Sequence, residues 1–266
     1  MNKPKVCVLL AAGINRDYDA VCAFERAGAQ VERVHVNTLA SCEKTLKEYQ
    51  ILMFPGGFSF GDDIASGKVL ANKLKYKLLD QILEFISDGK LIFGVCNGFQ
   101  VMVKLGLLPG FDGDYRSQLT TLTFNDSGKF EDRWVYLRVN PNSDCIFTRE
   151  IDDLLYVPVC HGEGKFVVKN EETLNRICSN QQIVVQYVDA EGSFAGYPFN
   201  PNGSVNNIAG ICDETGRVFG MMPHPEDFVR RTHYPRWTRE DLPESGSGLK
   251  FFINAVEYAR KNILPD

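Results

Sequence analysis

A cysteine set between two glycines at a strand-to-helix junction constrains this chain more than any other stretch. Lys90-Leu91-Ile92-Phe93 reads as a short buried strand, and Phe99 to Leu105 reads as the start of a helix. Between them lies Gly94-Val95-Cys96-Asn97-Gly98, the thiol form of the G-x-S-x-G nucleophile elbow. The glycines remove Cβ atoms that would clash where strand, sharp turn and helix crowd together. A sulfur on such a turn also faces a helix N-terminus, whose unpaired N–H groups and dipole favour an anion. Taken alone, a cysteine is more often a small buried hydrophobe than a nucleophile.

A second motif changes that balance. Met221-Met222-Pro223-His224-Pro225-Glu226 follows the strand-like Arg217-Val218-Phe219-Gly220. In an extended chain residues i and i+2 point the same way, so His224 and Glu226 would share a side, with Pro225 stiffening the backbone between them. That is the arrangement of a base and its orienting carboxylate. Combined with the elbow it makes Cys96, His224 and Glu226 a candidate nucleophilic triad.

Around these motifs the first hundred residues alternate strand and helix. Lys5–Leu10, Val31–Val36 and Ile51–Phe54 read as strands, with helices over about Tyr18–Ala27 and Leu74–Ser87. The β-α-β-α order predicts an α/β fold with a parallel sheet covered on both faces, whose ligands sit beyond the carboxyl ends of the strands. Both Cys96 and the Pro55-Gly56-Gly57 turn fall there. Beyond Leu108-Pro109-Gly110 come shorter strands: Leu119–Phe124, Arg133–Val139, Leu155–Val159, Lys165–Val168 and Ile183–Val188. Gly192–Asn207 reads as loop, Ile208–Cys212 with Val218–Met222 as a hairpin, and Leu249–Lys261 as a final helix. No repeat or linker divides the chain, so residues 1–266 are read as one domain.

Other segments carry weaker signals. The glycine-rich Pro55–Asp63 turn would let the Gly57 N–H face a reacting carbon, with the Asn97 N–H as second donor of an oxyanion hole. As glycines alone they describe a tight turn equally well. His161-Gly162-Glu163-Gly164 places an imidazole beside a carboxylate after a strand, in a position to contact substrate rather than to catalyse. His35 sits in an alternating strand and reads as structural. Arg230–Arg239 is the one basic, aromatic-interleaved run, and reads as a solvated loop or docking surface rather than a nucleic-acid site.

Composition excludes several classes. A formal net charge of −5 gives no reason to expect nucleic acid or an anionic membrane as partner. No apolar run is long enough to span a bilayer, and the N-terminus reads as a strand rather than a signal peptide. The 8 cysteines form no C-x-x-C pair, which argues against a zinc site or disulfide framework and for a reduced, cytoplasmic protein. The glycosylation patterns at Asn125 and Asn202 are irrelevant in that compartment. Neither G-x-x-x-x-G-K-[ST] nor G-x-G-x-x-G is present.

The order of a P-G-G turn, a G-x-C-x-G elbow and a late His-Pro-Glu resembles that of the triad-type glutamine amidotransferases. More narrowly, Pro55–Asp62, Cys96–Gln100 with Leu108-Pro109-Gly110, His161–Gly164 and Met222–Glu226 look like the glutaminase subunits that serve purine biosynthesis. The resemblance spans nearly the whole chain. It implies a flavodoxin-like, doubly wound, mostly parallel sheet with an additional β-rich edge. It also implies that Cys96 attacks the side-chain amide of L-glutamine, that His224 carries the protons, and that Glu226 holds its imidazole. Gly57 and Asn97 would stabilise the oxyanion, and Gln100, His161 and Gly162 would contact the glutamine. Ammonia would pass to a synthetase subunit that converts formylglycinamide ribonucleotide to formylglycinamidine ribonucleotide, with ATP and magnesium bound there, no cofactor or metal in this chain, and a small accessory subunit as a further partner. The segment Asp227–Gly246 is longer than short members of the family require. Two alternatives stand beside this reading: the glutaminase of a GMP, CTP or carbamoyl phosphate synthetase, and a non-enzymatic flavodoxin-like scaffold with a redox-sensing cysteine.

Overall fold

Apolar β-branched runs alternating with amphipathic helices build the first half of the molecule as the sequence suggests. In a computed structural model describing residues 2–264, the order begins β1 (Lys5–Leu10), α1 (Asp17–Arg26), β2 (Gln30–His35), α2 (Val36–Ala40), β3 (Ile51–Phe54), α3 (Lys68–Lys77), α4 (Leu79–Ser87), β4 (Leu91–Val95) and α5 (Asn97–Leu105). The expected helix over Leu74–Ser87 is two helices, α3 starting earlier and α4 following a break at Leu78, whose backbone (φ −135°, ψ −2°) leaves the helical region. His35 is structural: its Nδ1 accepts the Asn37 N–H and caps α2.

The second half adds β5 (Thr120–Thr123), β6 (Glu131–Val139), β7 (Leu154–His161), β8 (Lys165–Val168), α6 (Glu171–Ser179), β9 (Ile183–Val188), β10 (Ile208–Cys212), β11 (Val218–Met221) and α7 (Leu249–Asn262). Most of these strands extend the same sheet and form its expected β-rich edge. Its nine strands run β2-β1-β3-β4-β11-β10-β9-β6-β7, parallel from β2 through β11 and antiparallel beyond, while β5 and β8 form a separate ribbon. Helix α6 is not expected from the sequence.

One pairing positions the site. The hairpin return strand β11 lies parallel to β4, with Gly220 opposite Gly94 and Met221 opposite Val95. Both strands therefore end at the same edge, and the segments leaving them meet there. Beneath them Phe93 stacks on Phe219 at 5.3 Å between centroids and packs on Phe252 of α7 at 5.8 Å. These fully buried rings fix the two strands as one rigid unit. Among the described residues no helix is long and apolar enough to cross a membrane.

Candidate active site

The nucleophile position is built from backbone. Cys96 has φ 51° and ψ −109°, a conformation non-glycine residues rarely adopt, and its N–H donates to the Met221 carbonyl at 2.8 Å. It is held there by packing: a Cβ on Gly98 would collide with the Phe54 carbonyl, so only glycine lets α5 start so close to β3. The buried Cys96 thiol donates to the Cys160 carbonyl at 3.5 Å. α5 begins at the next residue, so the first-turn N–H groups of Asn97 and Gly98 have no intrahelical acceptor.

The Asn97 side chain ties the neighbouring loops together. Its Oδ1 accepts the Ser59 N–H at 3.1 Å, and its Nδ2 donates to Asp62 Oδ1 at 3.0 Å and to Gln100 Oε1 at 2.9 Å. Gln100 in turn donates to the Glu163 carbonyl at 2.7 Å. Gln100 thus lines the cavity with both ends of its amide engaged by the protein. Gly57 sits at φ 143° in a single bridge to Ile14, next to Cys96, at a position where a side chain would be strained.

His224 and Glu226 do meet, but not through an extended chain. Pro225 opens a 3-10 turn over Pro225–Phe228, since its fixed φ suits a first helical position, and the turn folds the carboxylate back onto the ring. His224 Nδ1 and Glu226 Oε1 are 2.7 Å apart, both side chains are buried, and the His224 N–H is anchored on the Pro158 carbonyl of β7 at 2.8 Å. His224 Nε2 has no hydrogen-bond partner. Burial opposes the charged imidazole, yet the Glu226 carboxylate and the neighbouring Cys96 outweigh it and hold the His224 pKa well above the usual histidine value. The carboxylate thereby fixes an Nδ1–H and leaves Nε2 as the free ring nitrogen.

The residues after Glu226 support this turn. Asp227 pairs with Arg16 at 3.1 Å, and Arg16 also reaches Asp19 at 3.3 Å. Burial and the neighbouring Glu226 push the Asp227 carboxyl up to about 6. Phe228 packs edge-on against Trp134 at 5.2 Å, Tyr234 against the same indole at 5.7 Å, and the Gly248 N–H returns to the Phe228 carbonyl at 3.0 Å. The long segment 227–246 is therefore a clamp that wraps the His-Pro-Glu turn onto β6. Within it Arg230–Arg239 carries a surface turn, with Arg236 pairing to Glu240.

Two cavities flank Cys96 and share Gly57, Phe58 and Cys160. One, of 270 Å³, is lined also by Asn15, Arg16 and His224; the other, of 150 Å³, by Asp62, Ser66, Gln100, His161, Gly162 and Glu163. His161 is buried, and burial lowers its pKa to about 3, so the ring is neutral. Asn125 fixes its tautomer. The Asn125 Nδ2 donates to the Lys129 and His161 carbonyls, so its Oδ1 accepts, from the Gly164 N–H at 2.9 Å and from His161 Nδ1–H at 3.2 Å. His161 Nε2 is left as an unpartnered acceptor. A larger cavity of 530 Å³, lined by Asp126, Lys129, Tyr197 and Asn200, holds none of these groups.

The structure thus brings together Cys96, His224, Glu226, Gly57, Asn97, Gln100, His161 and Gly162. The Glu163 carboxylate, read from the sequence beside the His161 imidazole, lines the smaller cavity as well; sequence reasoning misses the Asp62 carboxylate although it lies inside a recognised motif, and it misses Arg16, Asp227 and Cys160.

The chain matches the family model of the CobB/CobQ-like glutamine amidotransferase domain over residues 3–259. It is 50% identical to the phosphoribosylformylglycinamidine synthase subunit PurQ of Dehalococcoides mccartyi, over 98% of this chain and 100% of that one. The subunit of the same name from Methanococcus maripaludis is 44% identical over 97% and 98% of the two chains. Among solved structures, PurLQS from Thermotoga maritima superposes with a TM-score of 0.73 at 32% identity, covering 97% of this chain and 99% of that one.

Proposed function

Because this chain belongs to the CobB/CobQ-like glutamine amidotransferase family, with PurQ subunits as its relatives, we infer that it is the glutaminase subunit of a phosphoribosylformylglycinamidine synthase. It hydrolyses L-glutamine to glutamate and ammonia and hands the ammonia to a synthetase subunit. That subunit uses it to convert formylglycinamide ribonucleotide to formylglycinamidine ribonucleotide, a step of purine biosynthesis. ATP and magnesium belong to the synthetase, a small accessory subunit completes the assembly, and the cytoplasm is the compartment. The whole chain acts as one amidotransferase domain.

The observation that carries this reading is the meeting of Cys96 with the His224–Glu226 pair at the shared end of β4 and β11. His224 Nε2 takes the Cys96 thiol proton as Sγ adds to the side-chain amide carbon of glutamine, and the oxygen that becomes anionic is held by the Gly57 and Asn97 N–H groups. The His224 imidazolium protonates the amide nitrogen, which leaves as ammonia while the thioester forms. His224 Nε2 then takes a proton from water as that water attacks the thioester, and the thiol is restored as glutamate departs. Glu226 keeps the imidazole in the tautomer and orientation that both proton transfers need.

An electrophilic glutamine analogue tests the assignment. It should label Cys96 ahead of the other cysteines, and Cys96→Ala should abolish glutamate release in a folded protein. Label found first on Cys160, which lines both cavities, would remove Cys96 from the mechanism. Steady-state glutamate release should also rise strongly when the synthetase and its nucleotide substrates are added, with the Pro55–Asp63 turn as the part that completes the oxyanion hole. Full activity of the isolated chain, unchanged by the partner, would refute that gating and leave the triad intact.

A further inference from the structure

Cys160 brings a second thiol to the elbow, and the glutaminase chemistry leaves it unused. Of the 8 cysteines only Cys96 and Cys160 line the two cavities, and both residues line both of them. Cys7, Cys145 and Cys212 are buried elsewhere in the core.

The sheet accounts for this placement. β7 is the last of the nine strands and pairs with β6 on one side only. Carbonyls two residues apart on a strand point the same way, and on the free side of β7 they meet the catalytic groups. Pro158 accepts the His224 N–H at 2.8 Å, and Cys160 accepts the Cys96 thiol at 3.5 Å. Standard bond lengths put a residue's Cβ about 3 Å from its own carbonyl oxygen, so Cys96 Sγ stands within about 7 Å of Cys160 Cβ. A disulfide asks for a Cβ···Cβ span of about 4 Å, and an edge strand unpaired on that side can give the remainder.

The two thiols differ in kind. Cys96 is buried beside His224, the group that takes its proton in the glutaminase reaction. Cys160 is half-buried, and burial raises its pKa, while His224 and Arg16 act against that rise from across the larger of the two cavities. Cys160 is therefore a poor first nucleophile that lies within the field of a base able to assist it.

We propose that Cys160 is a resolving cysteine, which captures Cys96 as a disulfide once a peroxide has oxidised the nucleophile and so makes oxidative loss of activity reversible. This role rests on the glutaminase reading above, in which Cys96 is the reactive sulfur. In the first step Cys96 Sγ, its proton held by His224, attacks one peroxide oxygen. An S–O bond forms, the O–O bond breaks, and a sulfenic acid remains on Cys96 as one water leaves. Cys160 Sγ then attacks Cys96 Sγ: the S–S bond forms, the S–O bond breaks, and the hydroxyl leaves as a second water with the Cys160 proton. Each sulfur is oxidised by one electron, and the peroxide takes up both. A dithiol reductant returns them by thiol–disulfide exchange. Without a resolving thiol the sulfenic acid goes on to sulfinic acid, which such a reductant does not reverse.

The test exposes the assembled synthase complex to hydrogen peroxide, removes it, and follows glutamate release before and after dithiothreitol. Peptides are mapped under non-reducing conditions. In the wild type a joined Cys96–Cys160 peptide, lighter by two hydrogens, should accumulate as activity falls, and dithiothreitol should restore most of the loss. Cys160→Ser, scored against its own untreated rate, should form no joined peptide, carry sulfinic acid at Cys96 and recover little or nothing. Wild-type activity undiminished by peroxide, sulfinic acid at Cys96 without the joined peptide, or equal recovery in Cys160→Ser would each overturn the proposal. The nucleophile assignment is judged separately: an electrophilic glutamine analogue that labels Cys96 in the untreated complex upholds it even where no disulfide forms.

Discussion

The two halves of the proposed catalytic apparatus follow adjacent parallel strands, yet they are held by different means. After β4, Cys96 is fixed by main-chain geometry: a strained φ, an N–H locked on Met221, and a helix start that tolerates no Cβ at Gly98. After β11, the His224 backbone keeps a negative φ (−103°) with its N–H on the Pro158 carbonyl, and its imidazole is fixed by buried charge, with Glu226 against the ring and the Arg16–Asp227 pair behind. Placement by backbone is sensitive to volume and indifferent to pH; placement by charge is the reverse. A nucleophile needs its sulfur at one point in space, which sterics can enforce. A proton carrier needs a tuned affinity as well, which only neighbouring charges supply.

The comparison is broken most directly by removing each half. Cys96→Ala should reduce glutamate release below detection, whereas His224→Ala should leave a residue of activity, down by ~10²–10⁴-fold, because the thiol and oxyanion donors survive. Equal losses in both variants, measured as steady-state turnover in the complex, would mean that the two halves do not act separately.

Next in size is Gly98→Ala. One methyl against the Phe54 carbonyl must displace α5 or β3, and overpacking of this kind costs about 1–3 kcal/mol. Thermal unfolding should shift down by several degrees, and labelling of Cys96 should slow by more than tenfold at every pH. A variant with normal stability and labelling would show that the elbow does not depend on that close approach.

A smaller effect is expected at the charged turn. Arg16→Met leaves Asp227 beside Glu226 without its cation, so kcat should fall by about tenfold while stability changes little, since Arg16 is a third exposed. Turnover at the wild-type level would take Arg16 out of the group of residues that position His224.

The smallest effects are in the pH dependence of stability, where the two buried histidines act in opposite directions. His161 is held at about 3, below its unfolded value of about 6.5, so the unfolded chain binds more protons and stability falls as pH drops between these values. His224 is held above its unfolded value, so the stability it contributes is complete below about 6.5 and is lost as pH rises through its folded value. Urea unfolding across pH should therefore show a flatter acid side in His161→Gln, by at most ~1.4 kcal/mol per pH unit, and a flatter alkaline side in His224→Gln. Parallel curves for wild type and both variants would contradict the assigned protonation states.

The sequence discloses the backbone-held half far better than the charge-held half, for a physical reason. Sterics are local: glycines at 94 and 98 and an apolar run before them announce the elbow within ten residues. β-strands are visible because contiguous apolar runs such as Ile51–Phe54 have no other use. Helix α6 escapes notice because only Thr173 and Ile177 of its nine residues are buried, although Asn170 caps it and two acidic residues fill its first turn. The break at Leu78 carries neither Gly nor Pro, so Leu74–Ser87 reads as one helix. His224 and Glu226 pair as expected but on a wrong assumption about the backbone, the 3-10 turn replacing an extended chain. Arg16 and Asp227, 211 residues apart, have no local pattern that could join them.

The position of β11 has a consequence for how the protein comes into being. It lies between β4 and β10 in the sheet but is among the last strands to be synthesised. A nascent chain that has not yet extended past Val218 carries the complete elbow sequence beside a gap in the middle of its sheet. Its cysteine lacks the Met221 carbonyl that receives its N–H, and there is no imidazole to serve it. Insertion of that late strand closes the exposed β4 edge and assembles the chemistry in the same event. The triad proposed here therefore depends on a strand that joins the middle of the sheet only after the elbow strand beside it has been made.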